Sequence, residues 1–157
     1  MKENAMIRRH ILCFGNPLHG DDGFGPAVFA HLARRRRPDH LSLFDAGTPG
    51  PAALALFEDC DEAIVVDALA PAGTPGRIAR LSADSIVSES VLAPHGMGLG
   101  YVLQALAALP GPKPFITIFG AEAESHRPFK PGLSPAVAQA ARDVADLLDP
   151  HFDDGHG

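Results

Sequence analysis

The chain predicts a single-domain α/β fold: a three-layer sandwich with a mostly parallel, twisted sheet, helices on both faces and an antiparallel edge strand. Three features predict it. Short apolar runs alternate with segments of helical period, the pattern of βαβ units. A glycine-rich turn follows the first apolar run, where such folds cross from strand to helix. Aspartates then follow three of the runs, so a parallel sheet would gather them along one edge.

The elements follow in order. Residues 11–14, Ile-Leu-Cys-Phe, read as a buried strand, and residues 24–36 place Phe24, Ala27, Val28, His31 and Leu32 at helical spacing. A second strand is expected at 41–44, ending at Asp45, and a third at 63–66, ending at Asp67. Residues 52–57 and 99–109 read as helices. The run 77–81, after Pro75-Gly76, predicts the antiparallel edge strand. Prolines 110, 112 and 114 precede a further strand at 115–119. Ser134-Pro135 marks an N-cap and first helical position for a helix over 135–148. Residues 1–150 are expected to form the one domain and 151–157 a disordered tail.

Composition narrows the function classes. With 157 residues, 46% hydrophobic and 20% charged, the chain can bury a core without disulfides or structural metal. A formal net charge of −6 argues against nucleic acid as a partner, and the basic run Arg34 to Arg37 suits a helix C-terminus. Cys13 and Cys60 lack zinc or redox spacing, and Cys13 reads as a core residue. No segment is long enough to span a membrane, and no secretory signal pattern is present, so a cytoplasmic monomer is expected.

The informative stretch is Gly15-Asn16-Pro17-Leu18-His19-Gly20-Asp21-Asp22-Gly23-Phe24-Gly25. A phosphate-cradling loop wants no nearby anions, so two adjacent carboxylates point instead to a cation or proton-transfer site. Asp67 should emerge from a buried strand into the same crevice, where clustered carboxylates raise pKa values or recruit a cation. His95, in Ala93-Pro94-His95-Gly96, stands at the entry to the helix carrying Leu99, Val102, Leu103 and Leu106. One such aspartate is ordinarily a turn or cap residue, and one such histidine a surface residue. Two carboxylates with one imidazole make a recognisable open metal site. No nucleophile elbow, H-E-x-x-H helix, G-x-G-x-x-G or Walker motif occurs.

In order, Gly15-Asn16-Pro17-Leu18 with Asp21-Asp22-Gly23-Phe24-Gly25, Asp45-Ala46-Gly47-Thr48, Val65-Val66-Asp67-Ala68, and Pro94-His95 with Gly98-Leu99 resemble the hydrogenase maturation proteases. These trim the C-terminus of the nickel–iron hydrogenase large subunit. The resemblance covers most of the chain. It implies an endopeptidase whose partner is the nickel-loaded large-subunit precursor, with nickel carried by that substrate. It also assigns metal binding and catalysis to Asp22, Asp67 and His95, with Asp45 behind them near the cleft. Ala46 stands where many members have glycine, and Gly120-Ala121-Glu122-Ala123-Glu124 follows the family pattern only loosely.

Three chemical steps fit this site: polarisation of the carbonyl by the metal, delivery of a metal-bound water, or general-base activation by a free carboxylate such as Asp21. The alternative to a protease is a non-catalytic nickel-sensing or metallochaperone module using the same three ligands.

Overall fold

The computed structural model describes residues 6–88, 98–124 and 130–152. Five strands form one sheet: β1 (Arg9–Phe14), β2 (Leu41–Gly47), β3 (Glu62–Leu69), β4 (Ile78–Ser82) and β5 (Phe115–Glu122). Their order is β2-β1-β3-β5-β4, with every pair parallel except β4 against β5. The expected mixed sheet with an antiparallel edge is therefore the observed one.

Alternation along the strands builds two cores. Ile11 and Cys13 of β1 and Ile64, Val66 and Ala68 of β3 face helices α1 (Phe24–Ala33) and α4 (Pro135–Leu148). Leu12 and Phe14, with Ala63, Val65 and Leu69, face the opposite layer. That layer holds the 3-10 segment Pro51–Phe57, α2 (Ala83–Ser88) and α3 (Gly98–Ala108). Strands β1 and β3, buried on both faces, read as continuous apolar runs for this reason.

Several expectations need correction. β2 and β3 run past Asp45 and Asp67, so both acids lie within strands. Asp67 stays in the ladder because Gly120 of β5 pairs with it, and Ala68 and Leu69 pair onward with Ala121 and Glu122. The 51–57 segment is a 3-10 helix, and α2 was not expected from its short sequence, Ala-Asp-Ser-Ile-Val-Ser. Helix α1 stops at Ala33 rather than Arg36. The domain also extends beyond 150: Asp149–Phe152 form a 3-10 turn, and Phe152 packs against the α1/α4 core. The rest of the expected tail, 153–157, lies outside the described residues.

The first crossover depends on close backbone approach. A Cβ on Gly25 would lie 1.9 Å from the Phe14 carbonyl oxygen, so α1 touches β1 where no side chain fits. Gly15 has φ +144°, and a Cβ there would meet the Asp22 carbonyl oxygen at 2.1 Å. These contacts hold the 15–25 turn against the end of β1. Gly25→Ala should therefore destabilise the protein by about 2–4 kcal/mol, measured by urea unfolding, because backbone on both sides must move.

Candidate functional site

Strand order reverses direction of growth at β1: chain order leads outward to β2, then back across β1 to β3. The crevice beyond the carboxyl ends of β1 and β3 is thus the switch point where open α/β sheets bind ligands. The 3-10 turn Gly20–Gly23, carrying Asp21 and Asp22, stands beyond β1, and Asp67 lies near the end of β3.

The two adjacent aspartates do different work. Asp21 is buried, and its carboxylate is fully engaged: Oδ1 accepts from the Ser134 N–H at 2.7 Å. Oδ2 accepts from the Glu124 N–H at 2.8 Å and the Ser134 hydroxyl at 2.9 Å. It ties the first turn to the segment after β5 and to the start of α4. Asp21 is therefore no free general base, which corrects that expectation. Ser134 occupies the expected position before Pro135, but its hydroxyl serves Asp21 and makes no cap bond to α4.

Asp22 is only half-buried, with Oδ2 accepting from the Asn16 N–H at 2.9 Å. It faces Asp67 closely enough for their charges to interact. Asp67 is 7% exposed, and Oδ1 accepts from the Ala68 N–H at 2.8 Å. Burial first, and then the Asp22 charge, push the Asp67 carboxyl well above the usual carboxylate range, while the Ala68 N–H pulls it down. Beside it, a Cβ on Gly120 would lie 2.5 Å from Leu69 Cγ, so the Leu69 side chain occupies the space that a residue other than glycine would fill.

Asp45 does not join this pair. Its register partner is Cys13, which faces the α1/α4 core, whereas Asp67 is on the alternate side of β3, and Asp45 is exposed. Burial, then the charges of Asp45 and Asp67, push the Cys13 thiol far up, leaving it an inert core group. The Cys60 thiol is raised to about 11, chiefly by burial, so neither cysteine is a poised nucleophile.

His95 lies outside the described residues. Among the described residues, no group of three or more His, Cys, Asp or Glu side chains is arranged to hold a metal ion.

Sequence reasoning missed Glu122. It is buried at the end of β5, and its Oε2 accepts from the N–H groups of Ala72, at 2.9 Å, and Thr74. Oε1 stands 3.7 Å from the Arg77 guanidinium. This carboxylate shapes the loop that returns the chain into β4. An acid closing an apolar strand was the available signal.

The fold and this site define a doubly wound α/β protein with paired aspartates at its switch point. The family model for hydrogenase maturation protease matches residues 26–150, and the chain belongs to that family, whose members are peptidases. The hydrogenase 2 maturation protease of Escherichia coli is 30% identical over 135 residues, covering 83% of this chain and 82% of that protein. The E. coli hydrogenase maturating endopeptidase HybD superposes with TM-score 0.71 at 28% identity, over 92% of this chain and 93% of that one. The [NiFe] hydrogenase maturation protease HybD of Thermococcus kodakarensis shares the fold, with TM-score 0.75 at 22% identity over 94% and 100% of the two chains. Among the described residues, no helix is long and apolar enough to cross a membrane.

The two aspartates should respond oppositely to removal. Asp21→Ala strands the donors of Glu124 and Ser134 and should lower stability by about 2–4 kcal/mol in urea unfolding. Asp67 has the reverse sign. Its raised value favours the fold below the ordinary carboxylate range, near 3.8, and that contribution is lost as pH rises through the raised value. Asp67→Asn should therefore melt about 3 °C or more above wild type at pH 8 in chelator, the gap closing toward pH 4, read by calorimetry.

Proposed function

We propose that this protein is the endopeptidase that removes the C-terminal extension of a nickel–iron hydrogenase large-subunit precursor in the cytoplasm, and that the precursor's own nickel is what it recognises. The observation that carries the reading is the Asp22–Asp67 pair. Two carboxylates near enough to repel, one of them buried, hold either a shared proton or a cation. A cation arriving on the substrate displaces that proton and relieves the repulsion. His95 is proposed as the third donor, giving the two-carboxylate, one-imidazole set of an open site. Such a set binds free metal weakly against a thiolate cage, so the ion stays with the precursor and enters as part of the substrate.

Docking of the metal then fixes the scissile peptide beside the crevice, and proximity replaces broad sequence recognition. In hydrolysis, water adds to the carbonyl carbon, the C–N bond breaks, and the departing amine takes a proton. With both Asp21 oxygens held by hydrogen bonds, Asp67 and Asp22 are the carboxylates placed to accept and return that proton.

The experiment compares precursor with and without nickel after this protein is stripped with chelator, following precursor length by intact mass. Cleavage of the loaded form alone is expected, and Asp67→Asn and His95→Ala should each abolish it while remaining folded. Equal cleavage of metal-free precursor would overturn recognition through nickel. Binding of loaded precursor with no change in its mass would favour a nickel-sensing or chaperone module instead.

A further inference from the structure

β2 is an edge strand. β1 flanks it on one side, and among the described residues no strand pairs with the other. In a parallel ladder a residue sends both its N–H and its C=O to one neighbour, and the next residue sends both the other way. The Arg9 N–H donates to the His40 C=O at 2.9 Å while Arg9 registers with Leu41, so odd-numbered residues of β1 bond to even-numbered residues of β2. Leu43 and Asp45, which precede the shift of register after Cys13 that brings Phe14 opposite Gly47, therefore turn their N–H and C=O groups away from β1. The Leu41 N–H fits this pattern, since it donates to the Pro38 C=O instead.

The free edge leads into the candidate site. At its carboxyl end the Gly47 C=O accepts from the Gly15 N–H at 2.9 Å, joining β2 to the turn that carries Asp22. Asp45 is exposed, and beyond it Gly47 and Gly50 have open space where a side chain would project. The other edge of the sheet, β4, is separated from β3 by β5 and runs antiparallel, so its carboxyl end points away from the crevice.

We propose that the outer edge of β2 is where the extended C-terminal segment of the large-subunit precursor docks, pairing with the outward backbone groups of Leu43 and Asp45 before entering the Asp22/Asp67 crevice. This rests on the protease reading above. Backbone pairing of this kind is β-augmentation, which gives affinity without demanding particular side chains. Strands lie about 4.8 Å apart, so the added segment runs about 10 Å from β1 and about 15 Å from β3. At about 3.3 Å per residue, three to four residues reach from the last pair to the crevice between them.

The test mixes wild-type protein with nickel-loaded precursor whose cleavage bond is replaced by a non-hydrolysable reduced amide, and reads single-amide hydrogen exchange. The Leu43 and Asp45 amides should slow about tenfold or more on binding, and those of Ser42 and Phe44, already in the ladder, should not change. A second arm compares Leu43→Pro with Leu43→Ala in the otherwise wild-type enzyme. Both lose the side chain, but only proline loses the outward N–H, a substitution edge strands tolerate. Leu43→Pro should raise KM several-fold over Leu43→Ala at unchanged kcat. Equal KM values, or a complex in which Leu43 and Asp45 exchange as in the free protein, overturn the docking edge and leave the protease standing. If wild type neither binds nor cleaves the precursor, both readings fall.

Discussion

One buried carboxylate organises the active edge of this molecule. Asp21 accepts from two backbone amides and a hydroxyl on two other segments, so the first turn, the end of β5 and the start of α4 are fixed together. Hydrogen bonds to an ionised acceptor are among the stronger ones, and these are shielded from water. With Asp21 held, the backbone of its neighbour is held too. Asp22, half-buried, therefore stands on a fixed backbone beside β3, its Oδ2 accepting from the Asn16 N–H.

The glycines beneath the turn serve the same end. Gly25 lets α1 lie against the Phe14 carbonyl, and Gly15 lets the chain fold back over Asp22. The crevice is thus built from backbone contact, and the two carboxyl side chains at its mouth have unlike surroundings. One is half open and locally hydrogen-bonded; the other is buried and reluctant to ionise.

Much of this was legible in the sequence, for identifiable reasons. Ser134-Pro135 and a clean helical period gave α4 its exact bounds, and the run from Gly15 to Gly25 located the crevice. What the sequence hid was direction. Asp21 and Asp22 are the same residue type at adjacent positions, and only the folded positions of Ser134 and Glu124 decide which turns inward. Asp45 and Asp67 look equivalent as acids after apolar runs, yet strand alternation sends them to opposite faces of the sheet. Aspartate is rare within strands, so both strands were expected to stop too soon. Glu122 escaped notice because its partners, Ala72 and Thr74, donate through backbone groups that leave no mark on the sequence.

The glycine opposite Asp67 has a consequence for traffic. Because Gly120 has no side chain, Leu69 folds across it and places hydrocarbon along one flank of the carboxyl. That flank offers an ion or a water no polar partner, whereas Asp22, on the other strand's turn, does. Among the described residues the two carboxylates thus stand in graded surroundings, Asp22 half open to solvent and Asp67 dry and walled on one side by hydrocarbon.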